Sequence, residues 1–297
     1  MGIFTLFSYR HAFHAGNHAD VLKHSVLIHI LQHLNKKDKA YSVIDCHAGA
    51  GVYDLDSEWA ATNQEFATGV SALIEQAQVI ESSSLLHAYI HTIGALNSEP
   101  NGALTVYPGS PWLCLEYMRD HDRLHLFEWH ATEFANLQAN IAYQDSDIQK
   151  QVKLYHDNGF TALKALLPPP SRRGLILIDP SYEDKNDYVA VLKACQEGFK
   201  RFATGTYMIW YPLVHRPQVA SLLEGLKNLC GQSLGYVHAA LQISAIPKGG
   251  HGLYGSGVFV INPPYTLGPA LAQALPILQQ CLTQDQAAQF TLEQQDK

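Results

Sequence analysis

The stretch Gly174-Leu-Ile-Leu-Ile-Asp179-Pro180-Ser181-Tyr182 is an unbroken apolar run that ends in an acid, a proline and an aromatic ring. A short run with no polar interruption describes a strand buried on both faces, as in a parallel sheet covered by helices. In open α/β sheets ligands bind in the crevice beyond the carboxyl ends of the strands. The run therefore delivers Asp179 to a candidate site. The Asp179 carboxylate and the proline-fixed carbonyl of Pro180 can both accept hydrogen bonds, and Tyr182 offers a ring face. That set suits a flat base held by its exocyclic amine and stacked on an aromatic.

A second segment, Tyr41-Ser-Val-Ile-Asp45-Cys46-His47-Ala48-Gly49-Ala50-Gly51, is another apolar strand, and it enters a glycine turn. Glycines there permit a tight bend and a close backbone approach to a ligand. A dinucleotide fingerprint would need a third glycine at position 54, which is Asp54. An acid just ahead of the glycines instead resembles the first motif of S-adenosylmethionine (SAM) methyltransferases. Enzymes that methylate the amino groups of adenine or guanine carry an Asp/Asn-Pro-Pro-aromatic tetrad, which Asp179–Tyr182 resembles with Ser181 in the third place.

Seven strand-like runs, at 41–46, 123–128, 151–156, 174–179, 206–211, 236–245 and 257–262, alternate for the most part with helical patterns. The alternation predicts a mainly parallel doubly wound sheet. The last two runs, joined by Pro247-Lys-Gly-Gly-His-Gly, predict a terminal antiparallel hairpin. The fold class expected is thus α/β, the Rossmann-like class I SAM-dependent methyltransferase variant with seven strands. About seventy residues separate Gly51 from Arg123, far more than one crossover requires. Helical spacing over Ala67–Gln78 and Ser82–Leu96 predicts a helical insertion at 53–105, either added core or a lid that selects substrate. The main domain is then 1–52 with 106–297. Its first twenty residues form a flap on the substrate side, with Asn17 as the cap of a helix running to about Leu34. The polar stretch Thr283–Lys297 is expected to fray.

Hydrophobic residues make up 47% of the 297-residue chain, enough for a full core, and no apolar run is long enough to span a membrane. Met1–Phe7 lacks the basic lead-in of a signal peptide. The five cysteines are scattered and unpaired in spacing, which indicates a reduced, cytoplasmic protein without a zinc–cysteine centre. His11, His14 and His18 have a spacing that a metal could use, but nothing completes the ligand set, so no metal is expected. The net charge of −7 argues against indiscriminate polyanion binding. Only proximity in the fold could assemble Arg10, Lys23, the Lys36–Lys39 cluster, Arg172-Arg173 and Lys200-Arg201 into a binding face.

The segment Ser8-Tyr-Arg-His-Ala-Phe-His-Ala-Gly-Asn-His-Ala-Asp-Val-Leu-Lys-His24 resembles the opening of the ribosomal large-subunit methyltransferase J family. The likeness continues through Asp45–Gly51, Tyr107-Pro-Gly-Ser-Pro111, Ser171–Pro180, Arg201–Tyr207 and Ile261-Asn-Pro-Pro264. It implies SAM-dependent methylation of an adenine N6 in 23S ribosomal RNA, before subunit assembly and with no obligate protein partner. Carried over by position, the resemblance makes His24, His47, Ser110 and Glu128 SAM contacts, beside Gly49 and Gly51. It places Asn158 and Gly159 at the adenine end of SAM. Asp179 becomes the catalytic carboxylate, also next to the cofactor, and Tyr9, His11, Lys23, Pro180 and Tyr182 become the substrate side. Glu128, ending the run Arg123–Glu128, is also where an acid that binds ribose hydroxyls ordinarily stands.

Two positions depart from the family pattern: Asn158 replaces an aspartate, and Ser181 replaces the second proline and should loosen the turn. A second tetrad, Asn262-Pro263-Pro264-Tyr265, matches the amine-methyltransferase pattern more closely than Asp179–Tyr182 does. It follows an antiparallel strand, however, which would end at the opposite edge of the sheet. Rival readings are methylation of DNA adenine N6 or guanine N2, a non-catalytic nucleic-acid-binding protein, and a factor in catabolism of external DNA. No nuclease-like carboxylate cluster supports the last.

Overall fold

Asn17 starts the first helix, α1 (His18–Asn35), where its side chain accepts from the Ala19 and Asp20 amides. A computed structural model describes residues 14–56, 64–97, 104–250 and 252–296, so Tyr9 and His11 lie outside the described residues. After α1 come β1 (Ser42–Asp45) and β2 (Val52–Asp54), helical turns over Ala67–Ile80 that open with a π-helical turn, and α2 (Ser84–Leu96). Next are β3 (Val106–Pro108), α3 (Ser110–Tyr117), β4 (Arg123–Phe127), α4 (Ala131–Ala142), α5 (Ser146–Gln151) and β5 (Val152–Tyr155). Then follow α6 (Gly159–Leu166), β6 (Gly174–Ile178), α7 (Asp187–Phe202), β7 (Thr206–Leu213) and α8 (Pro217–Cys230). The chain closes with β8 (Tyr236–Gln242), β9 (Gly255–Ile261), α9 (Leu267–Leu282) and β10 (Gln289–Gln295).

The main sheet has the order β10-β8-β9-β7-β6-β1-β4-β5. Strands β7, β6, β1, β4 and β5 are parallel neighbours, and β9 runs antiparallel to β7 and to β8. This is the class I methyltransferase arrangement, with the terminal hairpin anticipated from the sequence. Strand β6 shows why the central runs are apolar throughout. Leu175 and Leu177 face one core with α1, α3 and α9, whereas Ile176 and Ile178 face a second core with α6, α7 and α8. Side chains alternate faces along a strand, so both faces of β6 must be apolar.

The sheet has eight strands, not seven. Thr283–Lys297 was expected to fray, yet Gln289–Gln295 pairs antiparallel with β8 from Gln289↔Gln242 to Gln295↔Tyr236. Its polar sequence concealed it because an edge strand needs ladder bonds and only one modest apolar face. Leu292 packs on the core, and Lys227 with Glu293 and Gln295 with the Gly231 and Leu234 carbonyls fasten the outer side.

Between β1 and β4, the antiparallel pair β2–β3 brings the two ends of the long insertion together, from Val52↔Pro108 to Asp54↔Val106. Leu86, Tyr89 and Ile93 of α2 are fully buried in the same core cluster as Leu27 and Ile30 of α1. Helix α1 is consequently covered on nearly all sides, and even its polar residues Asp20, Lys23, His24 and Ser25 are buried. Among the described residues no helix is long and apolar enough to cross a membrane.

Candidate active site

Two adjoining cavities open beyond the carboxyl ends of β1, β4 and β6. The larger, about 330 Å³, is lined by residues including Lys23, His24, His47, Gly49, Ser110, Glu128, Asn158, Gly159, Asp179 and Pro180. Eight of the nine residues expected to contact a cofactor meet there; the exception is Gly51. That glycine stands behind the wall with φ +84°, its carbonyl accepting from the Gly109 amide at 2.8 Å. The second cavity, about 200 Å³, shares Lys23, Asp179 and Ser181 with the first and adds His14, Asp20, Tyr182, Trp210 and Arg216.

The glycine turn is shaped for close approach. Gly49 adopts φ +62°, and a Cβ there would lie 2.2 Å from the Tyr53 hydroxyl. Its amide donates to Glu128 Oε2 at 2.9 Å, while Glu128 Oε1 accepts from the His130 amide at 2.6 Å. Burial raises the Glu128 pKa against the pull of these two amides. At the other end of the cavity, Asn158 caps α6 by accepting from the Phe160 amide at 2.9 Å. An aspartate could accept the same bond, so the substitution at 158 leaves the cap in place. Gly159 is required sterically, because a Cβ would fall 2.1 Å from the Cys46 carbonyl oxygen.

Asp45, fully buried at the end of β1, accepts from Ser110 Oγ at 2.7 Å and from the His47 amide at 3.1 Å. Burial outweighs both bonds and pushes its carboxyl up to about 7. His47 is driven down to about 3 by burial, which keeps its ring neutral. The neutral ring accepts, through Nδ1, from the Asp179 amide at 3.3 Å and packs edge-on against Phe160.

The wall between the cavities is ionic. Lys23 Nζ donates to Asp179 Oδ2 at 2.6 Å and lies 2.9 Å from Asp20 Oδ1. Asp20 Oδ2 accepts from the Gly16 amide, and His24 Nδ1 bonds the Tyr107 hydroxyl at 2.8 Å. The buried Lys23 ammonium, bonded to both carboxylates, fixes the Asp179 side chain that faces both chambers. The Asp179–Tyr182 turn is braced from outside as well, by Arg216 Nη1 donating to the Tyr182 carbonyl at 2.8 Å. That bond, with the His47 contact, holds the turn without a second proline.

Tyr182 is placed differently from expectation. The sequence offered its ring as a base-stacking face, yet the ring is buried beside Tyr188 at 4.6 Å, with its hydroxyl donating to the Trp210 carbonyl at 2.7 Å. Its φ of +54° turns the side chain inward. The half-exposed aromatic of the second cavity is Trp210, whose ring has the Lys23 ammonium 5.7 Å away. Sequence reasoning missed Trp210, and also Trp129, Phe160, Asp184 and Asp187 in the first cavity. Trp129 could have been found, since it directly follows Glu128 at the end of β4. Nothing local marks Trp210, which sits inside an apolar strand.

The second tetrad is settled by topology. Ile261 pairs with Tyr207 at the start of β7, which puts Asn262 at the edge opposite Asp179. The Asn262 side-chain amide donates to the Ala203 and Gly205 carbonyls at 2.8 and 2.9 Å, bracing the α7–β7 turn.

The first cavity fits a nucleoside-bearing cofactor in volume, in the bare backbone at Gly49 and in the acid that ends β4. Comparison with known proteins gives it a context. A family model described as Ribosomal RNA large subunit methyltransferase D, RlmJ, matches residues 38–293. The ribosomal RNA large subunit methyltransferase J of Haemophilus influenzae is 41% identical over 288 residues, covering 97% of this chain and 98% of that protein. The protein of the same name from Escherichia coli is 40% identical over 274 residues, covering 92% and 93%. A crystal structure of a Legionella pneumophila protein superposes with a TM-score of 0.82 at 33% identity, covering 94% of this chain and 98% of that one. With the sheet order, the two chambers and these relatives in agreement, the chain belongs to the ribosomal RNA large-subunit methyltransferase J family and is a SAM-dependent methyltransferase.

Proposed function

We propose that the chain methylates the N6 amine of an adenine in 23S ribosomal RNA, with SAM in the first cavity and the target base in the second. The observation that carries this reading is the shared wall: Lys23, Asp179 and Ser181 border both chambers. Bound SAM supplies an activated methyl group on a sulfonium. The residues of the chain supply position, since a good leaving group leaves orientation and water exclusion as the main tasks.

In this reading Glu128 accepts from the ribose hydroxyls, His24, His47, Gly49 and Ser110 shape the rest of the cofactor wall, and Asn158 and Gly159 border the adenine. Asp179 and the Pro180 carbonyl accept from the target NH2, which favours a pyramidal nitrogen with its lone pair aimed across the wall. Asp179 takes up the amine proton after transfer. Lys23 orients that carboxylate until then. Trp210 forms the aromatic side of the base chamber, with the buried Tyr182 bonded to its carbonyl from behind. The base must be unpaired or flipped out to enter. Tyr9 and His11 are assigned to the substrate side with Lys23; the expected flap cannot reach residue 20, because residues 15–20 are buried and carry the start of α1. The His14 ring bonds Glu65 at 2.9 Å, fastening the start of the described chain to the insertion beside the second cavity. The work is done in the cytoplasm on large-subunit RNA before assembly.

Radiolabelled SAM, incubated in parallel with unmodified large-subunit RNA, free RNA and DNA, tests the proposal. Label recovered as N6-methyladenine from the ribosomal RNA is the expected result. Label on DNA alone, or on guanine, would refute it.

A further inference from the structure

The edge of the sheet opposite the two cavities carries a built cationic surface. Arg119 donates to the Lys37 and Lys39 carbonyls, and Arg173 donates to the carbonyls of Leu34, Lys37 and Lys39. Both guanidinium groups lie over the ring of the buried Tyr41, at 5.4 and 5.8 Å. This staple fixes the Lys36–Lys39 loop by its backbone and leaves the side chains of Lys36, Lys37 and Lys39 exposed. Arg172, next to the staple, is exposed with φ +51°, a conformation an L-residue adopts only when its surroundings impose it. None of these four cations has an ion-pair partner among the described residues.

An exposed aromatic adjoins them. Tyr265, the last residue of the second tetrad, is 81% exposed and meets His33 edge-on at 5.9 Å. His33 in turn feels the charges of Lys36, Arg173 and Lys37, which, after burial, lower its pKa. Cations at fixed spacing beside an open ring are what single-stranded nucleic acid requires: phosphates pair with the cations and a base stacks on the ring.

We propose that Lys36, Lys37, Lys39, Arg172 and Tyr265 form a second RNA-binding surface that grips unpaired nucleotides distant from the methylated base. The inference rests on RNA being the substrate. Strands of four or five residues separate the surface from the cavities, roughly 15 Å through the sheet at 3.3 Å per residue. Only an RNA large enough to pass around the body can engage both, so the surface selects for a structured RNA over a short strand.

Fluorescence anisotropy with a large-subunit RNA fragment and with a short adenine-containing single strand tests this in the full chain. The variant K36E/K37E/K39E/R172E should bind the fragment about 100-fold more weakly at 0.15 M salt. Its slope of log affinity on log salt should flatten by about 3, at roughly 0.7 per phosphate contact. Tyr265→Ala should lose about tenfold through stacking. K36R/K37R/K39R should bind like wild type. Short-strand and SAM affinities should stay unchanged in all of them. Unchanged fragment affinity and slope would overturn the proposal, as would an equal loss on both RNAs. Should the quadruple variant lose SAM binding by misfolding, Tyr265→Ala and Lys37→Glu decide by the same two criteria. Binding is read without turnover, so a wild type that grips the fragment yet methylates no RNA would instead sink the functional reading.

Discussion

The chain contains two acid-or-amide, proline, aromatic turns, and the fold uses them in opposite ways. Asp179–Tyr182 follows a parallel strand and stands between two cavities, its carboxylate on Lys23 and its tyrosine buried. Asn262–Tyr265 follows an antiparallel strand at the far edge, its amide bracing a turn and its tyrosine in solvent. Both even hold a non-glycine residue near φ +50°, at Tyr182 and Asn262. Strand direction, not the local four residues, decides which turn faces the crevice where open α/β sheets bind ligands.

The largest effect that can break this comparison is Asp179→Ala. It should lower methyl transfer by about 100- to 10,000-fold, the range for loss of a positioned proton acceptor, with little change in SAM affinity. Asn262→Ala measured beside it should keep near-normal transfer per folded molecule; the reverse pattern would exchange the roles of the two turns. Next in size, Glu128→Ala should weaken SAM binding by about 1.5–3 kcal/mol, the worth of hydrogen bonds to a charged acceptor. Calorimetry returning an unchanged dissociation constant would move the cofactor out of the first cavity.

Asn262→Ala should instead appear in denaturant unfolding, at about 1–2 kcal/mol for two lost hydrogen bonds. A melting curve identical to wild type would leave that turn without its bracing role. The smallest effect is a slope. Asp45, held up to about 7 against an ordinary 3.8, keeps its proton when folded and releases it on unfolding across that window. Stability should therefore fall as pH rises from about 4 to 7, by up to about 1.4 kcal/mol per pH unit, and Asp45→Asn should flatten the curve. A wild-type curve that rises over that window would mean that folded Asp45 does not hold its proton there.

The central strands were legible because burial on two faces leaves only apolar residues at β1 and β6. The cap at Asn17 was legible from one side chain and its neighbours. Strand β10 was not, because a polar edge strand is stabilised by its partner's backbone, which leaves no local pattern. The pairing of Lys23 with Asp179 joins residues 156 positions apart, so only the known family pattern could suggest it. The burial of Tyr182 was likewise hidden, since its positive φ and its bond to the Trp210 carbonyl arise from tertiary packing.

Helix α1 has a consequence for how the protein is made. The sides of the helix are covered by α2 and α3 and also by β9 and α9, which are synthesised more than two hundred residues after it. Until those elements leave the ribosome, its apolar flanks have nothing to bury them, and a chain in that state is exposed to aggregation and to chaperones. Loop closure over such a separation also slows folding. The helix that carries Lys23 and His24 into the cavities should thus be among the last to become protected from hydrogen exchange during synthesis, and among the slowest to exchange once the chain is complete.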